Sequence, residues 1–318
     1  MNEERVAIDA PGATAWYRDA AGCTGGYASG VRHEIAGGDV EPGDRFRIGS
    51  ITKTFNGALA LLLERDGVLS LDDAVGDHLP GANGADITLE QLLRHTAGIP
   101  NFVDTGPFLT QMTVDVAPED VVQWSWDLGV TFEPGQGWAY SNTGYFVFAL
   151  VVEAATGQPW NAVLRERILD PWELSLHVEG FEDGAAPIPG HLSRLPTTES
   201  FSTHWSWAAG ALVSDGQALL AWADLLFAGD LLTESERSRL LQPTVLPDGR
   251  EVPYGLGVQL RTWDGAEQWG HTGSTMGFQS ELFADAETGE AIAVLVNDFN
   301  AEATDVGLAI WSTVTARR

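Results

Sequence analysis

The chain has 318 residues, 44% of them hydrophobic and including 12 Trp and 13 Phe, which excludes a disordered polymer and leaves room for a substantial core. Its 45 acidic residues outweigh 17 basic ones for a formal charge of −28, so nucleic acid and anionic membrane are excluded as partners by charge. A single cysteine, Cys23, excludes an internal disulfide and a cysteine-built zinc site; with no 18-residue apolar run and no leader-like start, a cytoplasmic protein is expected, without metal or organic cofactor.

Residues 13–17 and 25–35 predict short strands around a glycine-rich turn. Residues 45–48 read as a strand running into Gly49, and 54–65 as an apolar helix with Gly67 as its stop. Thr88-Leu89-Glu90-Gln91 has a capping-box pattern and predicts a short helix over 89–95. Residues 101–136 are weakly patterned, with a helical piece over 118–126. A turn at Glu133-Pro134-Gly135 precedes Tyr140-Ser141-Asn142, and 145–155 predicts a buried helix. Residues 187–206 predict loop and 208–227 helix. Strands follow at 254–262, 279–284 and 290–296, then a terminal helix over 306–315. Strands therefore cluster at both ends and helices in the middle. An α+β chain is expected, one domain over 1–318, with its sheet part about 1–65 and 215–318 and a helical part about 66–214 inserted.

The chemistry centres on Gly49-Ser50-Ile51-Thr52-Lys53. On a helix, Ser50 and Lys53 share a face, so their side chains can meet. A serine hydroxyl needs a base, and an amine serves only when burial or nearby positive charge lowers its pKa. The first turn of a buried helix supplies both. Lys53 is the one lysine in the chain, and the other sixteen basic residues are arginine, which stays protonated and cannot replace it as a base. A lone lysine falls three residues after a serine by chance only about once in fifteen times. The bland alternative is a surface lysine after an N-capping serine.

Further motifs exist. Tyr140-Ser141-Asn142 and His271-Thr272-Gly273-Ser274 follow in order, the latter between two predicted strands. Together with Leu92 to Pro100 (LLRHTAGIP) and Tyr254-Gly255-Leu256-Gly257, the chain from about 45 to 300 resembles the class C β-lactamase-like serine hydrolase family. That family includes D-alanyl-D-alanine carboxypeptidases, D-aminopeptidases and β-lactamase-fold esterases. The resemblance implies an antiparallel sheet flanked by helices beside a helical subdomain, with the site in the cleft between. It implies Ser50 as nucleophile and Lys53 with Tyr140 sharing the proton traffic, either one being the formal base. Asn142 would hold Lys53 or the substrate amide, and backbone N–H groups of Ser50 and Ser274 would receive the oxyanion. His271, Thr272 and Gly273 would form the opposite wall, with His271 and Thr272 contacting a substrate carboxylate or ester. His271 stands where many relatives carry lysine, so a fixed positive charge is lost there near pH 7, which counts against efficient β-lactam binding and leaves esters or small peptides open. Trp124, Trp126, Trp205 and Trp207 are candidates for an acyl pocket or for the core.

Rival chemistries lack their motifs: no Gly-x-Ser-x-Gly and no His-Glu-x-x-His occurs. The expected activity is cleavage of a small ester, amide or peptide through an acyl-enzyme on Ser50. A D-alanyl-D-alanine carboxypeptidase or β-lactamase, an acyltransferase, and a sensor that binds without turnover are the alternatives.

Overall fold

Both ends of the chain feed one sheet. The computed structural model describes every residue except 2, 4, 6, 7, 198–200, 264 and 316–318. Among the described residues, the N-terminal part supplies β1 (Gly12–Arg18), β2 (Thr24–His33) and β3 (Gly37–Asp39). The C-terminal part supplies β4 (Gln259–Trp263), β5 (Ala266–Thr275), β6 (Phe278–Ala284) and β7 (Ala291–Val296). The order across the sheet is β4-β5-β6-β7-β1-β2-β3, and every neighbouring pair is antiparallel. The ends are joined where β7 pairs with β1, Ala13 opposite Val296.

The principal helices are α1 (Thr52–Arg65), α2 (Leu89–Leu93), α3 (Pro118–Trp126), α4 (Asn142–Thr156), α5 (Gly216–Phe227) and α6 (Ala303–Thr315). The strand β7 reads Ala-Ile-Ala-Val-Leu-Val and is buried throughout, so both sheet faces are covered. Val294 and Val296 join Ala13 and Ala15 beneath α6, while Ala291, Ala293 and Leu295 belong to the large core on the α5 side. Each fully buried Val, Leu or Ile contributes roughly 1.5–3 kcal/mol by leaving water.

The helix α1 is buried almost all round, from Thr52 to Leu63. A helix in that position must satisfy its polar side chains internally. Asn56 donates to the carbonyls of Thr52 and Ala208 and accepts from Trp160 Nε1 at 2.8 Å. Thr54 accepts from Trp222 Nε1, whose ring stacks on Phe55 at 3.9 Å.

Several expected elements differ. Residues 208–227 are not one helix: Leu212–Ser214 is a strand that pairs with Phe46–Arg47 and His177–Val178, and Asp215 then caps α5 by accepting from Ala218 N. Within 254–262 only the end is strand, because residues 254–258 turn back, with Tyr254 bridging to Gln259. The His271-Thr272-Gly273 stretch lies on a strand, not between strands. Gly270 pairs with Gln259 of β4 and His271 with Leu282 of β6, so neighbours on both sides hold extended a segment whose glycines and hydroxyls look like a turn.

Candidate active site

Ser50 sits in a single 3₁₀ turn, Gly49–Ile51, that enters α1. A 3₁₀ turn brings residues three apart into line, and Lys53 Nζ lies 2.9 Å from Ser50 Oγ. The turn is pressed against β5. A Cβ on Gly49, where φ is +51°, would lie 2.7 Å from Ser274 N, and one on Gly273 would lie 2.1 Å from Ile48 O. Glycine at both positions lets the backbone of the Ser50 turn and that of Ser274 approach.

Tyr140 and Asn142 arrive at the entrance of α4. Tyr140 Oη donates to Ser50 Oγ at 2.7 Å, and Lys53 Nζ donates to Asn142 Oδ1 at 2.8 Å. The Asn142 amide is oriented by Asn101, whose Oδ1 accepts from both the backbone N–H and the Nδ2 of Asn142 at 3.2 Å. That leaves Asn142 Oδ1 for the amine. A third partner of Lys53 is the carbonyl of Ala209 at 2.8 Å. Neither Asn101 nor Ala209 was singled out from the sequence; the Asn101 signal was its place directly after Ile99-Pro100, whereas a carbonyl contact has no residue-type signal.

Lys53 is fully buried, with the rings of Tyr140 and Tyr145 centred 5.0 and 5.2 Å from its Nζ. Burial holds its pKa well below the usual lysine value, and burial pushes the Tyr140 phenol up. The resting pair is therefore a neutral phenol and an amine ready to lose its charge.

The third segment divides. Ser274 lines the cleft beside Ser50, and Gly273 forms the close approach to the serine turn. His271 is buried behind the wall, 1% exposed, and is not among the residues lining the cleft. Its Nδ1–H donates to Thr272 O and its Nε2 accepts from Tyr254 Oη at 3.0 Å. Burial lowers its pKa to about 3. The neutral imidazole packs behind the cleft wall, against Tyr140 and Tyr254, rather than at the cleft surface expected from the sequence. Thr272 is held to Gln259 through its N–H and its hydroxyl.

The cleft in front of Ser50 encloses about 360 Å³. Its walls are Phe102, Val103 and Phe108 on one side, Phe201 and Trp205 on another, and Met276 and Phe299 from the ends of β5 and β7. None of the described residues lining it carries a charge. Of the four candidate tryptophans, Trp205 lines the cleft and Trp124 stacks on it at 5.8 Å. Trp207 is buried edge-on to Phe146, and Trp126 packs at Gly84.

An antiparallel sheet built from both chain ends, a serine at the head of a buried helix and a lysine one turn on define a serine-hydrolase type of site. The chain belongs to the Beta-lactamase family, which it matches over residues 6–315. It is 29% identical to "Penicillin-binding protein 4" of Amycolatopsis lactamdurans over 309 residues, covering 85% of this chain and 76% of that protein. It spans about half the length of two Bacillus subtilis relatives. Among solved structures it resembles a D-stereospecific amidohydrolase from Streptomyces sp., with 28% identity, a TM-score of 0.82, and coverage of 96% of this chain and 94% of that one. It also resembles the D-amino acid amidase from Ochrobactrum anthropi SV3 complexed with D-phenylalanine, with 25% identity, a TM-score of 0.89, and coverage of 99% and 97%. No helix among the described residues is long and apolar enough to cross a membrane.

Proposed function

We propose that the protein is a serine amidohydrolase that cleaves a small amide or peptide of an apolar, D-configured acyl group through an acyl-enzyme on Ser50. The observation that carries this reading is the placement of Ser50 Oγ within 2.9 Å of a buried amine and 2.7 Å of a phenol, facing an aromatic cleft. With the amine neutral, its two N–H bonds serve Asn142 and Ala209, and its lone pair takes the Ser50 proton. Ser50 Oγ bonds to the acyl carbon, and the oxyanion accepts from the N–H groups of Ser50 and Ser274. As the C–N bond breaks, Tyr140 gives its proton to the leaving nitrogen and regains one from Lys53. Water repeats the sequence on the ester, restoring Ser50 and releasing the acid.

The amide preference rests on the amidohydrolase and amidase neighbours, and the acyl side chain on the cleft's aromatic walls. A neutral, buried His271 and walls without a cation argue against recognition of a substrate carboxylate, and so against carboxypeptidase and β-lactamase roles. We take 1–318 as one catalytic domain in which the inserted part supplies Tyr140, Asn142 and half of the cleft.

The test is intact-protein mass after brief exposure to D-phenylalanine amide, a p-nitrophenyl ester, a penicillin and a D-alanyl-D-alanine peptide, beside Ser50→Ala. A transient adduct on Ser50 with release of D-phenylalanine is expected. An adduct that persists would replace hydrolysis by a sensor or acyl-transfer role, and turnover undiminished in Ser50→Ala would end the proposal.

A further inference from the structure

His95, two residues beyond the end of α2, contacts Tyr140's segment in three ways. Its carbonyl accepts from Ala139 N–H at 3.1 Å, and its Nδ1 accepts from Ser141 N–H at 3.1 Å. The residue between these two is Tyr140, and the imidazole lies against its ring at 4.3 Å between centres. The backbone is therefore gripped one residue before and one residue after the phenol, and the ring itself is backed.

Two unfavourable features meet in this residue. His95 adopts φ +60°, which non-glycine residues rarely do, and its Nε2 is a buried nitrogen without a hydrogen-bond partner among the described residues. Acceptance from Ser141 places the proton on Nε2, among the rings of Trp138, Tyr145 and Tyr254. Stopping the helix accounts for the positive φ, which Gly or Asn adopts at less cost, but it does not call for a buried imidazole with an unpaired Nε2. A positive backbone φ and an unpaired side-chain nitrogen in one residue persist where the surroundings over-determine them, as they do at functional sites.

We infer that His95 is a positioning residue that fixes the Tyr140 hydroxyl on Ser50, acting through the backbone on both sides of the phenol and through its ring. The inference rests on the Ser50 reading above.

The experiment measures the rate at which a fluorophosphonate labels Ser50, which needs no knowledge of the substrate. The Ser50 oxygen, oriented by the Tyr140 hydroxyl at 2.7 Å so that its proton faces Lys53, bonds to phosphorus; that proton passes to Lys53 and fluoride leaves, so the labelling rate depends on where Tyr140 holds its hydroxyl. His95→Gln keeps the bulk but moves the acceptor away from the Nδ1 position; His95→Asn keeps an acceptor near it and tolerates positive φ. We expect His95→Gln to slow labelling about 100-fold, the effect of an ångström-scale misplacement, and His95→Asn to restore most of the rate. In a Tyr140→Phe background the Gln substitution should cost less than about 3-fold, because residues that act as a unit are not additive. Equal factors in both backgrounds, or His95→Gln within about 3-fold of wild type, would overturn the inference. Should His95→Gln fail to fold, His95→Ala takes its place in the same cycle. Wild-type protein that is not labelled at Ser50 would instead overturn the Ser50 reading itself.

Discussion

Lys53 Nζ donates to the carbonyl of Ala209 at 2.8 Å, a contact that only an N–H bond can make. Asn142 Oδ1, turned toward the amine by Asn101, takes a second N–H. A neutral amine then has one lone pair left, and Ser50 Oγ is the remaining partner. A protonated amine would fill all three contacts as a donor and leave Ser50 without a base. No carboxylate pairs with Lys53 among the described residues, and burial favours the neutral form.

The acylation rate should therefore rise with pH through a pKa well below the usual lysine value and then level off. Lys53→Arg should lose about 10²- to 10⁴-fold of that rate, because guanidinium does not give up its proton. Pre-steady-state release of p-nitrophenol across pH gives both results. A Lys53→Arg enzyme with an unchanged profile would refute the role.

Acid stability follows from the buried histidines. His271 is held at about 3 and His95 well below its ordinary 6.5, so both are neutral in the folded chain. As pH falls below about 6.5, the unfolded chain takes up protons at these positions that the folded chain refuses, down to about 3 for His271. Stability should therefore drop as pH falls through that window, by up to about 1.4 kcal/mol per pH unit for each histidine. Urea midpoints of wild type and His271→Asn at several pH values check this, the variant having the shallower slope.

Features carried by local spacing were legible. Ser50 and Lys53 are three apart in one turn, so residue types and spacing sufficed. The hydrophobic pattern likewise marked β1, β7, α3 and the buried body of α4. Tyr140 and Asn142 became legible as a set through family resemblance, since each alone is an ordinary core or capping residue. What stayed hidden depends on chain crossings. Ala209 acts through its carbonyl, which every residue has. Strand β5 is held by β4 and β6, while its own Gly270, Thr272, Gly273 and Ser274 suggest loop. For the same reason His271 looked accessible, although Tyr254 and Tyr140 cover it.

The close approach at the serine turn gives a packing prediction. Gly49→Ala and Gly273→Ala would each force apart backbones that now meet, at Ser274 N and Ile48 O. Overpacking of this kind destabilises by about 1–3 kcal/mol, and Gly49 adds the strain of its positive φ. Displacement of Ser274 N–H from the oxyanion should lower acylation further than the fall in stability explains. Thermal midpoints together with rates per titrated Ser50 separate the two effects. Proportional losses in both would show that the approach serves folding alone.

The cleft walls decide between acyl groups. Phe108 lines the cleft and packs edge-on against Trp205 and Phe102. Truncation to alanine removes apolar contact with a bound side chain without touching Ser50, Lys53 or Tyr140. Phe108→Ala should reduce kcat/KM for D-phenylalanine amide by about 10- to 200-fold, the effect of roughly 1–3 kcal/mol of lost pocket contact. D-alanine amide, which cannot reach that wall, should lose little. The ratio of the two substrates' kcat/KM values is the measurement, because a general weakening of the fold would lower both and leave the ratio unchanged. A constant ratio would place the acyl side chain elsewhere.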